Sequence, residues 1–176
     1  MKSGGKSIKN HTPAKLYFAY GSNLYKHQMR YNGTGDPVSG EFSNRCPDSV
    51  EVSTFVLENY RLAFVGKSTG RWGAGGVATV IPAPGEVVHG ALYRISADDE
   101  LTLDRMENYI AADPQSGSYS KDETTASFDG EPVMFYVATE RQGSEFPPSK
   151  MYLETIRKGY EMWGLPLEAL SRIEPV

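Results

Sequence analysis

Two short stretches of this chain carry residues suited to chemistry. Tyr20-Gly21-Ser22-Asn23-Leu24 directly follows the apolar run Leu16-Tyr17-Phe18-Ala19, so it reads as a strand ending in a tight turn that opens a helix. At such a junction successive backbone N–H groups converge on one point, glycine lets the main chain approach a ligand, and Ser22 or Asn23 can cap the helix. That arrangement suits an anion, although an ordinary strand-to-helix turn with a polar cap would use the same residues. The second stretch holds Glu107. Four residues after Leu103 and one after Met106, it falls on a helix at the edge of the apolar stripe rather than on the solvated face. A carboxylate there must find partners or accept a raised pKa, and a raised pKa suits a glutamate to general-base work near neutral pH. The plainer alternative is a boundary residue whose stem packs while its head reaches water. Asp104, one turn earlier and beside Arg105, reads as a surface acid.

Other chemistries find little support. The single cysteine, Cys46, permits no internal disulfide and sits in a polar stretch without a nearby histidine, so it reads as an inert thiol. His11, His27 and His89 are scattered without metal-ligand spacing, and no metal is expected. The glycine-rich segment at residues 70–76 lacks the Lys-Ser/Thr ending of a phosphate loop and reads as a flexible turn or a close backbone approach. A net charge of −4 and the lack of a basic stripe argue against nucleic acid as a partner. No apolar run approaches the roughly 20 residues of a membrane helix, and Met1-Lys2-Ser3-Gly4-Gly5-Lys6 does not resemble a secretory signal, so a cytoplasmic protein without a membrane partner is expected.

The elements that must position these residues follow from pattern. Residues 1–14 carry no periodic apolar pattern and read as a flexible tail, and residues 15–176, at 39% hydrophobic overall, suffice for one domain. After the first strand comes a short helix over about residues 23–31. Strand-like segments follow at residues 52–57, 61–65, 77–81, 87–95, 119–126 and 133–139. The close pairs around Glu58-Asn59-Tyr60 and Pro82-Ala83-Pro84-Gly85 suggest antiparallel neighbours, because a parallel crossover needs a dozen or more residues. One helix starts at Ser96, with Asp99 completing a capping box, and continues through Leu103, Met106 and Ile110. Another follows Pro147-Pro148, capped by Ser149, striped by Leu153, Ile156, Tyr160 and Trp163, and ended by Gly164. The expected fold is α+β, a curved, mostly antiparallel sheet or small barrel with flanking helices.

Taken together, several ordered blocks resemble the gamma-glutamylcyclotransferase family. They are Tyr17-Phe18-Ala19-Tyr20-Gly21-Ser22-Asn23-Leu24, Gly75-Gly76-Val77-Ala78-Thr79-Val80, Leu103-Asp104-Arg105-Met106-Glu107, Pro147-Pro148-Ser149 with Tyr152, and Gly164-Leu165-Pro166-Leu167-Glu168. The resemblance implies a small mixed fold built around a β-barrel, usually a homodimer, releasing 5-oxoproline without a cofactor from a small gamma-glutamyl substrate. It makes Glu107 the catalytic glutamate, Tyr17 to Asn23 the strand end and loop that hold the gamma-glutamyl head, and Tyr119, Tyr136 and Tyr152 aromatic neighbours of the same pocket. Two departures bear on substrate range: Asn108 stands where the family usually has glycine, and residues 111–118 make a longer loop.

In the reaction so implied, the substrate's α-amine attacks its own γ-carbonyl, closing a lactam and expelling the attached amine. No enzyme nucleophile is needed. A base must take a proton from the amine and the leaving nitrogen must gain one, and Glu107 can serve both steps. Backbone N–H groups around Gly21 and Ser22 can hold either the substrate α-carboxylate or the developing oxyanion. The alternatives are the same chemistry on a gamma-glutamylamine or a biosynthetic intermediate, and a non-catalytic binder of a small acidic metabolite.

Overall fold

The computed structural model describes residues 14–30 and 45–176. The expected tail, apart from Ala14, and the expected helix end at Tyr31 lie outside the described residues. Among the described residues five strands form one sheet in the order β2-β3-β1-β5-β4: β1 is Lys15–Ala19, β2 Val50–Ser68, β3 Gly75–Ile95, β4 Tyr119–Phe128 and β5 Glu131–Ala138. Every pairing is antiparallel except that of β1 with β5, where Leu16 lies opposite Val133 and Tyr17 opposite Met134. The sheet is mixed and mostly antiparallel as expected, but it is open, with β2 and β4 at its two ends. Central β1 is covered on both faces, which explains its uninterrupted apolar run: Leu16, Tyr17, Phe18 and Ala19 are all buried.

The four segments at residues 52–57, 61–65, 77–81 and 87–95 are not separate strands. They join pairwise into the two long arms of one ribbon, in which Leu57 lies opposite Val88 and Val65 opposite Val77. The expected turns at Asn59 and Pro82–Gly85 are a facing pair of irregularities in that ribbon. Asn59 takes φ 62 and Gly85 φ 82, and the Gly85 N–H donates to Asn59 Oδ1 at 3.0 Å, so each strand bulges and then resumes. The reversal falls instead in the glycine-rich segment. There both readings of the glycines hold: Gly73 turns the chain at φ 76, while a Cβ on Gly76 would lie 2.1 Å from the Phe146 carbonyl oxygen. Gly76 donates to Pro147 O at 2.8 Å, and Ser149 Oγ hydrogen-bonds Trp72 O, pinning this hairpin end against the approach to the last helix.

Among the described residues three α-helices flank the sheet: α1 at Lys26–Arg30, α2 at Ala97–Met106 and α3 at Lys150–Trp163. Ser96 and Asp99 form the expected capping box on α2. Ser149 caps α3 and Gly164 ends it in the left-handed conformation, with Ile156 and Tyr160 buried along its stripe. At Gly159 a Cβ would come within 2.4 Å of Leu24 Cβ, so α3 lies almost in backbone contact with the turn after β1. Among the described residues no helix is long and apolar enough to cross a membrane.

Candidate active site

The end of β1, the turn after it, β3, the end of α2, β4, β5 and α3 converge on one small cavity. It is lined by Tyr17, Tyr20, Gly21, Ser22, Asn23, Ala78, Glu107, Tyr119, Tyr136 and Tyr152. Eight of the ten expected head-holding residues and the expected base are among them once Phe18 and Ala19 are set apart as the exceptions to be explained. Tyr17 lines the cavity, so on an extended strand the next side chain, Phe18, faces the other way. Phe18 packs edge-on to Phe55, with ring centroids 5.3 Å apart, and Ala19 is fully buried in the core.

The turn after β1 differs from the expected helix start. Ser22–Leu24 is a single 3-10 turn closed by Leu24 N–H to Gly21 O at 3.1 Å, and α1 begins only at Lys26. Neither Ser22 nor Asn23 caps it through a side chain; Gly21 occupies the cap position. Space at Gly21 is tight. Its φ is negative, but a Cβ would sit 3.2 Å from Ala78 Cβ and 3.4 Å from the Tyr152 hydroxyl. Asn23 turns inward: its Nδ2 donates to the Tyr17 hydroxyl at 2.8 Å, and its Oδ1 accepts from Arg45 at 2.7 Å.

Glu107 arrives in the cavity by a different route from the expected stripe. The helix stops at Met106, and Met106 and Ile110 are 40% and 39% exposed, leaving Leu103 as the buried anchor of a short and mostly polar helix. Glu107 is the C-cap residue, its N–H donating to Leu103 O at 2.8 Å. Next comes Asn108 at φ 49, a left-handed position that glycine adopts freely and asparagine tolerates. That conformation suits asparagine as well as the glycine that the resemblance puts at this position. The longer loop folds back onto it: Ser118 N–H donates to Asn108 O at 3.1 Å, and a Cβ on Gly117 would collide with the same oxygen.

Among the described residues no side chain hydrogen-bonds the Glu107 carboxylate. Burial pushes its pKa above the ordinary glutamate value, against a weaker downward pull from the Arg45 guanidinium. The surrounding tyrosines stay neutral, because burial raises every one of them and the Glu107 charge adds to the effect. Tyr152 is pushed up to about 12. Their hydroxyls are also tied into the frame. Tyr119 donates to Ala78 O at 2.8 Å, Ala78 N–H donates to the Tyr152 hydroxyl at 3.2 Å, and Tyr20 donates to Tyr136 O at 2.6 Å. These tyrosines are therefore packing residues with satisfied hydroxyls and polar walls of the cavity at once.

Several contributors went unnoticed in the sequence. Ala78 lies within a quoted block but carries no functional group to draw attention. Asp104 is no surface acid: it accepts from the Tyr136 hydroxyl at 2.6 Å and pairs with Lys121 at 2.8 Å. Arg45 is only 5% exposed, and nothing in its local sequence marks it for burial. Cys46 is buried, which pushes its thiol up to about 12.

Comparison with known proteins agrees with this arrangement. Residues 17–154 match the family described as gamma-glutamyl cyclotransferase, AIG2-like. The gamma-glutamylcyclotransferase of Bos taurus is 31% identical over 167 residues, covering 91% of this chain and 79% of the relative, and that of Homo sapiens is 30% identical over 169 residues at the same coverage. A solved structure named gamma-glutamyl cyclotransferase superposes with a TM-score of 0.72 at 29% identity, covering 93% of this chain and 89% of that one. With the match spanning the strand that leads into the cavity, the helix that ends at Glu107 and the first turns of α3, the chain belongs to the gamma-glutamylcyclotransferase family.

Proposed function

We propose that the chain converts gamma-glutamyl amino acids into 5-oxoproline and the free amino acid, with Glu107 moving the protons. Tyr17, Tyr20 to Asn23, Tyr119, Tyr136 and Tyr152 hold the gamma-glutamyl head. The observation that carries this reading is a carboxylate without a hydrogen-bond partner among the described residues, facing a cavity otherwise walled by neutral hydroxyls and peptide groups. Such a carboxylate attracts the substrate's α-ammonium and can take its proton.

The freed amine then attacks the γ-carbonyl carbon of the same molecule. A new C–N bond closes the five-membered ring, the old amide C–N bond breaks, and the leaving nitrogen departs as an ammonium, having taken the two protons that the attacking nitrogen sheds, one before and one after attack, each passed through Glu107. Atoms and charge balance within one substrate molecule. The cavity's task is to hold the chain bent, and for well-oriented intramolecular reactions the effective molarity reaches the order of 10⁵ M or more. Ser22, which lies beside the Tyr152 hydroxyl, offers hydroxyl and backbone donors for the substrate carboxylate or the developing oxyanion. Family resemblance also supports a homodimer working in the cytoplasm, which light scattering and cell fractionation would test.

The direct experiment incubates the protein with gamma-glutamyl-alanine and measures 5-oxoproline. Turnover is expected, and Glu107→Gln should lower it by about 10²- to 10⁴-fold with the circular dichroism spectrum unchanged. Near-normal turnover in that variant would reject the role given to Glu107.

A further inference from the structure

Glu107 stands between two hollows. Behind it is the small cavity for the gamma-glutamyl head, and outside it lies a chamber of about 290 Å³ that shares Ser22, Glu107, Tyr119 and Tyr152 with the first. Among the described residues, the charged side chains lining the outer chamber are Arg45, Arg71 and Glu107. Both arginines are fixed. Arg45 donates to Asn23 Oδ1 and, at 2.9 Å, to Gln28 O, while Arg71 donates to Gln28 Oε1 at 2.6 Å and lies 4.8 Å from the Trp72 ring. Gln28 thus holds one guanidinium through its backbone and the other through its side chain. Burial, and then the charge on Arg45, lower the Arg71 pKa, a sign of two like charges sharing one poorly solvated space.

We infer that this outer chamber binds the leaving half of the substrate, with Arg71 reading a carboxylate on the departing amino acid and Arg45 supplying a fixed positive charge behind it. The inference rests on the proposed cyclotransfer reaction, because it assigns the other end of the same substrate. When the head occupies the inner cavity with its γ-carbonyl near Glu107, the substituent on the amide nitrogen must pass the shared wall into the chamber. A carboxylate there would be repelled by Glu107 unless cations offset the repulsion, and a planar guanidinium matches a carboxylate in shape as well as charge. Trp72, Val77 and Met106 provide apolar surface for the amino acid's side chain. A gamma-glutamylamine has no carboxylate to present, so the chamber favours gamma-glutamyl amino acids with a free α-carboxylate.

The test compares gamma-glutamyl-alanine with gamma-glutamyl-ethylamine, the same molecule without that carboxylate, by release of 5-oxoproline. The natural sequence should prefer the alanine substrate by about tenfold or more in kcat/KM. Arg71→Met should bring the ratio close to one, chiefly by raising KM for the alanine substrate, and Arg71→Lys should restore part of it. Equal use of both substrates by the unaltered protein overturns the inference while leaving the cyclotransferase reading intact. An Arg71→Met variant that loses activity on both substrates equally also overturns it, since that is the signature of a structural role. Release of 5-oxoproline from neither substrate defeats the cyclotransferase reading and the inference together.

Discussion

The Tyr136 hydroxyl donates to Asp104 Oδ1 at 2.6 Å, one helical turn before Glu107, and the same oxygen pairs with Lys121 at 2.8 Å. The end of α2 that carries the carboxylate is thereby tied to β5 through Tyr136 and to β4 through Lys121. Asp104→Ala should leave Lys121 with Glu100 as its remaining carboxylate on that helix and release Tyr136, at a cost of about 1–3 kcal/mol in unfolding free energy. Turnover should fall as well, because Tyr136, which lines the cavity with Glu107, is no longer held. Asp104→Asn keeps an acceptor for Tyr136 and should recover more turnover than stability, which paired denaturant melts and kcat measurements would read out.

The same burial that suits Glu107 to base chemistry works against folding. Its folded pKa lies above its unfolded value, so the folded state holds the proton more tightly and stability falls as pH rises through the folded value. Glutamine does not titrate. Glu107→Gln should therefore melt higher than the parent at pH 7, each 1 kcal/mol of difference being worth about 2–4 °C in a chain of this length. The difference should close below about pH 4, where the glutamate is protonated in both states. A variant melting lower than the parent at neutral pH would contradict the assigned burial.

Activity has the opposite dependence on that proton. The base works only when ionised, so kcat/KM should fall on the acid side through an apparent pKa above the ordinary glutamate value of 4.5. Arg45 holds that pKa down, and Arg45→Met should move the acid limb to higher pH. A limb that stays in place would mean that another group governs it.

Two glycines separate packing in the site from packing in the frame. Gly21→Ala places a methyl 3.2 Å from Ala78 Cβ and 3.4 Å from the Tyr152 hydroxyl, contacts at the cavity wall that small shifts can absorb. Stability should drop by less than about 1 kcal/mol, while activity falls tenfold or more because the head is displaced, an effect on the order of that seen for small misplacements of reacting groups. Gly159→Ala meets Leu24 Cβ at 2.4 Å and the Leu24 carbonyl carbon at 2.8 Å, so α3 must move away from the turn it supports. That variant should lose about 1–3 kcal/mol despite alanine's higher helix propensity, as judged by urea unfolding.

Local signals were legible wherever one short segment settles its own conformation. Ser96 with Asp99, Ser149, and Gly164 at its left-handed position each mark a helix end through hydrogen bonds or backbone sterics within a few residues, and each is found where the pattern puts it. The stripe from Leu153 to Trp163 is likewise a property of one helix. By contrast, Asn59 and Gly85 carry the composition of turns, yet they face each other across one ribbon and serve as bulges. Whether such a residue reverses a strand or kinks it depends on what pairs alongside, which the segment itself does not encode. The same holds for Met106 and Ile110, whose spacing suggested burial that the neighbouring elements do not provide.

From its residues alone, this chain specified a mixed α+β domain type, the glycine turn after the first strand, and the one glutamate with an ambiguous address at the edge of a helix. Those follow from periodicity, backbone freedom and the cost of burying charge, all local in origin. The fold alone decided that Glu107 faces inward, that Asp104 braces Tyr136, and that Arg45 and Arg71 meet across Gln28, since each relation joins residues far apart in sequence and exists only once sheet and helices have packed.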